Sequence, residues 1–249
     1  MDPYVRTAGL DEADLALIND ALSLVRSADV RAVVRDLLPR VTKEEQESVA
    51  TRCDVAHAAA LVFPPSLDGL IARLRADGFT VGEVVPSVVV RERLSRRYGM
   101  PAVALEVTIL HVRVPAGGQG PCEIELFVLE APPGTELRGI AVRERKERNE
   151  SHLALEVRAA PDDVIMARLH TLLTGHGGLA ADGGGYNSQE ACTVLYFLST
   201  AIDGRDVRST SGRGHPGRLE LRALGHHPAI LAAHRGDGRT NRRNADRSR

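Results

Sequence analysis

Two histidines and two glutamates in this 249-residue chain stand at matched intervals. Glu125 lies in Cys122–Glu130 (CEIELFVLE), and Glu220 lies ninety-five residues later in Gly217–Gly225 (GRLELRALG). The same interval separates His57 from His152, so each His precedes its Glu by sixty-eight residues. Strand side chains alternate faces with period two. Glu123, Glu125 and Phe127 then oppose Ile124, Leu126 and Val128, and Arg218, Glu220 and Arg222 oppose Leu219, Leu221 and Ala223. His152, Ala154 and Glu156 likewise oppose Leu153, Leu155 and Val157. Each aliphatic face packs on a helix and each polar face looks to the concave side of a sheet. Two such modules would collect two imidazoles and two carboxylates, a mixed N/O set suited to one divalent metal such as Zn, Ni, Co, Mn or Fe. The competing reading makes the histidines ordinary strand residues and leaves the glutamates solvated or paired with Arg218 and Arg222. Repetition of both residue types in register favours the metal.

Other matches at this offset extend the pattern. Ala72-Arg73-Leu74 falls on Ala167-Arg168-Leu169, Val112-Arg113 on Val207-Arg208, Gly117 on Gly212 and Pro121 on Pro216. A run of matches at one spacing is an internal repeat. In the first copy, residues 55–63 read as a strand stopped by Pro64-Pro65. A helix follows, capped by Ser66 with Leu67, Leu70, Ile71 and Leu74 on one face. Residues 81–90, 103–114 and 123–129 read as three more strands, giving βαβββ. The second copy opens on His152, has a helix over 161–173, and continues with strands at 192–198, near Val207 and at 218–224. The glycine-rich stretch 175–185 reads as a loop. His111 aligns with Asp206 in the ungapped register.

Before the repeat, residues 1–52 are helical in pattern. Asp11 can cap a first helix bearing Leu15, Leu17, Ile18, Leu22 and Val25. A second stripe runs from Val30 to Leu38, and Thr42 with Glu45 forms a capping-box pattern. This block packs on the core, covers an opening or mediates self-association. The expected organisation is therefore a helical extension (1–52), a first βαβββ module (53–148), a second (149–231) and a disordered basic tail (232–249) rich in arginine. The fold class is α+β, two tandem βαβββ modules forming a concave mixed sheet behind a helical extension.

Composition excludes several classes of function. A net charge of −1 gives no general affinity for nucleic acid or anionic membrane. Four Phe, four Tyr and no Trp leave little for base stacking. Three cysteines without a CxxC pair read as reduced thiols. No apolar run approaches a membrane span and the N-terminus is no signal peptide, so a cytoplasmic protein is expected, monomer or homodimer.

Tandem βαβββ modules with His on the first strand and Glu in an IEL-type closing strand resemble the vicinal oxygen chelate superfamily, over roughly residues 53–228. That superfamily includes glyoxalases, methylmalonyl-CoA epimerases, extradiol dioxygenases and bleomycin-resistance proteins. The resemblance implies a metal held by His57, Glu125, His152 and Glu220. It implies an enzyme that isomerises, epimerises or cleaves a small oxygen-rich substrate through a metal-stabilised enediolate. Glu125 or Glu220 would be the general base. Arg218, Arg222 and His111 are candidates to hold the substrate, although the arginines could instead pair with Glu123 or Glu156. An Fe(II) dioxygenase would need only His57, His152 and Glu220. A small-molecule binding or resistance protein would use the cavity without the quartet.

Overall fold

The computed structural model describes residues 10–27, 29–114, 122–199 and 217–246. In chain order the elements begin with helices α1 (Glu12–Ser27), α2 (Val30–Leu37) and α3 (Lys43–Ala50). Strand β1 (Cys53–Val62), helix α4 (Leu67–Ala76), strand β2 (Thr80–Pro86) and helix α5 (Val88–Tyr98) follow. Next come β3 (Val107–Val114), β4 (Cys122–Leu129), α6 (Leu137–Glu147), β5 (His152–Val157) and α7 (Asp163–Thr171). The chain closes with β6 (Leu179–Asn187), β7 (Cys192–Ser199), β8 (Arg218–Leu224) and a C-terminal helix, α8 (Pro228–Asp246).

These elements form two compact units. Of the described residues, 10–27 and 57–151 make the first, and 29–56 and 152–246 the second. Each contains a βαβββ module. In the first, the strand order is β2-β3-β4-β1, antiparallel except for the parallel pair β1–β4. In the second the order is β6-β7-β8-β5, with β5–β8 parallel. The parallel pair joins the strand that carries His to the strand that carries Glu, because a crossover helix separates them in the chain.

Packing in the first unit explains where its polar residues fall. Ala58, Ala60, Val62, Ile124, Leu126 and Val128 are buried on one face of β1 and β4. On the other face, Ala59, Leu61, Phe127 and Leu129 are sealed beneath Val90 and Leu94 of α5 and Ile140 and Ala141 of α6. That leaves the opposite end of the same face to His57, Glu123 and Glu125. Helix α5 was expected as the end of a strand. The chain turns after Pro86 because Val90, Leu94 and Tyr98 recur every fourth residue, a helical stripe. Gly99, at φ 68°, ends that helix in the left-handed conformation glycine accepts. Arg97 fixes it by bridging Glu150 at 2.8 Å and Glu144 at 2.5 Å, two carboxylates that are almost fully buried.

The N-terminal block packs, but as two parts. Helix α1 lies against β4 and α6 in the first unit. Its Asp14 is wholly buried and accepts from the Phe63 amide at 3.2 Å and from Arg145 at 2.7 and 2.8 Å. Helices α2 and α3 belong to the second unit, where the Thr42–Glu45 capping box is formed.

Three expectations in the second unit are corrected. Residues 179–187 are strand β6, not loop: the repeated glycines are absorbed by a register shift between Ala181 and Gly184, with Gly183 at φ 86°. The tail expected to be disordered is helix α8, held by contacts to β6, β7 and α7. The ungapped register also fails in the middle. Cross-strand pairing sets His111 opposite Glu125 and Tyr196 opposite Glu220. His111 is thus matched by Tyr196, since α5 lengthens the first module between β2 and β3. The strand expected near Val207, and Asp206 itself, lie outside the described residues. No helix among those described is long and apolar enough to cross a membrane.

Candidate metal centre

In the first unit the parallel ladder places His57 beside Glu123, and the antiparallel ladder places His111 directly across from Glu125. All four residues therefore share one face. His57 Nε2 lies 3.5 Å from Glu125 Oε2, with the imidazole 3 % and the carboxylate 12 % exposed. In the second unit His152 Nε2 lies 3.1 Å from Glu220 Oε2, both side chains buried. The His152 ring meets the edge of Tyr196 at a centroid distance of 5.7 Å.

These separations suit a cation. Two donors each about 2.1 Å from one metal sit about 3.0 Å apart at a right angle and about 3.4 Å apart at a tetrahedral angle. Each unit thus presents one imidazole and one carboxylate at the spacing of neighbouring ligands, and the donor set fits a borderline divalent ion.

The flanking residues differ between the units. In the first, His111 Nδ1 contacts Glu123 Oε1 at 2.8 Å and Glu125 Oε1 at 3.9 Å. The hydrogen bond with His111 holds the Glu123 carboxyl below its usual range, against the opposing effect of its partial burial. In the second, Arg218 occupies the place of Glu123. Arg218 is 5 % exposed and paired with Asp182, and Arg222 is paired with Glu190 at 2.9 Å. The partners expected for these arginines, Glu123 and Glu156, are replaced by acids supplied by β6 and by the turn before β7. Of the expected residues, the first unit gathers His57, Glu125 and His111, and the second gathers His152, Glu220 and Arg218. Glu123 and Tyr196 were missed. Glu123 was legible from its period-two relation to Glu125, whereas Tyr196 required the true strand pairing.

No family model and no curated protein matches the sequence. Among solved structures, the chain is similar to a methylmalonyl-CoA epimerase in complex with methylmalonyl-CoA and NH4+, at 16 % identity and a TM-score of 0.35, covering 70 % of this chain and 95 % of that one. It is similar to a methylmalonyl-CoA epimerase from Mycobacterium tuberculosis at 15 % identity and 0.35, covering 70 % and 90 %. It is also similar to the hypothetical protein BH1468 from Bacillus halodurans C-125 at 12 % identity and 0.36, covering 70 % and 96 %. In the chain itself, each βαβββ module carries its His on the first strand and its Glu on the last.

Proposed function

We propose that this protein is a divalent-metal-dependent enzyme of glyoxalase type, acting on a small oxygen-rich substrate by moving a proton next to a carbonyl. The observation that carries this reading is the duplication: each module offers a buried His on its first strand and a Glu on its last, at the separation of neighbouring metal ligands. His57 and Glu125 in the first unit, and His152 and Glu220 in the second, would be the residues that ligate the metal. A bound divalent ion supplies a Lewis acid that polarises two neighbouring oxygens of the substrate.

The remaining chemistry belongs to the chain. One of the two glutamates takes the proton from the substrate carbon through a carboxylate oxygen. Returning it to the adjacent carbon gives isomerisation, whereas epimerisation needs a second proton donor on the opposite face. The aliphatic packing beneath the closing strands holds both carboxylates in place and keeps bulk water from one side. Arg222, 18 % exposed at its side chain, is positioned on the same strand face as Glu220 and would meet an anionic group of the substrate. Two of the three cysteines, Cys53 and Cys192, are buried, and burial pushes both thiols up, Cys53 to about 12; neither of these two is suited to act as a nucleophile.

The test is elemental analysis of the purified protein beside His152→Ala and Glu220→Gln. Each substitution is expected to remove one equivalent of metal per chain. Full retention in both variants overturns the reading, and no metal after reconstitution leaves only a ligand-binding protein. Iron that survives Glu125→Gln but not His152→Ala would identify the three-ligand dioxygenase instead.

A further inference from the structure

We infer that the first unit carries a second divalent-cation site, formed by His111, Glu123 and Glu125, with the Glu125 carboxylate as the bridge to the proposed catalytic metal. Each of the three residues offers a ligand atom, and all of these atoms lie within 4.8 Å of one another. The set is not merely acidic, since it contains an imidazole. The antiparallel ladder fixes it: His111 is the direct cross-strand partner of Glu125, and Glu123 is two residues along the same face.

The disposition of Glu125 is a second, independent observation. Its Oε2 faces His57 Nε2 at 3.5 Å, while its Oε1 faces His111 Nδ1 at 3.9 Å. The carboxylate thus turns one oxygen to each of two imidazoles on opposite flanking strands, the arrangement of a carboxylate that bridges two cations. Paired metals held this way sit about 3.5–4 Å apart. Glu123 supplies a second carboxylate to the same site, its Oε1 lying 2.8 Å from His111 Nδ1. One nitrogen and two carboxylates suit Mn, Fe, Co or Zn, with exposure of about a third at His111 and Glu123 leaving room for water as remaining ligand.

The second unit provides the internal contrast. At the places of His111 and Glu123 it has Tyr196 and Arg218, the latter already paired with Asp182. A second cation beside Glu220 is therefore disfavoured, and the extra site is confined to one module. With both oxygens engaged, Glu125 stays a ligand, and proton transfer falls to Glu220.

This inference depends on the proposed function through Glu125 alone, and metal stoichiometry separates the two. The full chain is loaded with Mn or Co, freed of excess, and assayed for bound metal by elemental analysis. Two equivalents are expected, falling to one in His111→Ala, in the surface substitution Glu123→Gln, and in His152→Ala. Cobalt or manganese spectra should show coupling between the ions in the native chain, lost in each variant. One equivalent that persists in His111→Ala and Glu123→Gln but is lost in His152→Ala overturns the second site and keeps the first. One equivalent lost in the former pair and kept in His152→Ala does the reverse. No bound metal in the native chain overturns both.

Discussion

A buried charge shows most sharply what a single residue contributes. Asp14 has no exposed surface, and its carboxylate is satisfied by Arg145 and by the Phe63 amide. Arg145→Met leaves that carboxylate buried without its cation, which costs about 3–5 kcal/mol. The expected result is a lower urea midpoint with little change in slope. Arg148→Met is the control. Its partner Asp20 is nearly half exposed, as is Arg148 itself, and exposed pairs contribute about 0–1 kcal/mol. Equal losses in the two variants would contradict this account. Asp14 was not legible in the sequence, since an Asp in the first turn of a helix reads as a dipole-stabilising surface residue. That His57 and His152 would each lie on a module's first strand, and Glu125 and Glu220 on its last, was legible, because a repeated spacing of rare residue types carries information that a lone histidine does not. The neighbours that tune them were less so. His111 was matched to Asp206, and the match changed to Tyr196 once strand pairing replaced a fixed offset.

Elements were legible where a local rule governs them. The Ser66 cap, the Thr42–Glu45 box and the period-two closing strands all appear as read. Two misreadings share one cause, tertiary packing overriding composition. Val88–Val90 are β-branched yet begin helix α5, because Val90 and Leu94 bury against the sheet. Residues 183–185 are all glycine yet run through β6, because β7 approaches too closely for side chains at one of them. A Cβ on Gly184 would strike the carbonyl oxygen of Val194, part of the neighbouring strand backbone, which cannot step aside. Gly184→Ala should therefore destabilise by about 1–3 kcal/mol. Gly185→Ala meets nothing within 4 Å and should be neutral or stabilising by up to about 1 kcal/mol, through a stiffer unfolded chain. Chemical denaturation of the pair checks this. The inverse order would mean that the strand opens at 184 and that β6 is held by α8 instead.

The whole molecule carries two βαβββ modules of matching strand order that differ in length and in charge, and this two-module organisation was legible at the scale of the chain. The division of the N-terminal helices between the units was not, since amphipathic helices do not encode which sheet they cover. The C-terminal helix was hidden by its polar composition. What holds it is a histidine pair. His234 Nε2 lies 3.0 Å from the Gly183 carbonyl and 2.9 Å from that of Tyr196, so it donates, and its Nδ1 accepts from His170 Nε2 at 3.1 Å. His234 is therefore neutral in this network, and both rings pack at an angle to Phe197. Burial lowers both imidazoles below the ordinary 6.5, with Asp237 at 3.8 Å from His170 opposing the shift. The sign of the consequence follows from linkage: the unfolded chain binds protons that the folded pair refuses. The stability they contribute is complete above about pH 6.5 and is lost as pH falls toward the depressed folded values. Melting temperature should decline through that window, with loss of helical signal as α8 detaches, while His234→Gln keeps a donor for the two carbonyls and removes one titrating ring. That variant is expected to be slightly less stable at pH 8 and to show a flatter decline below pH 6.5. A decline as steep as that of the native chain would place the acid sensitivity outside this histidine pair.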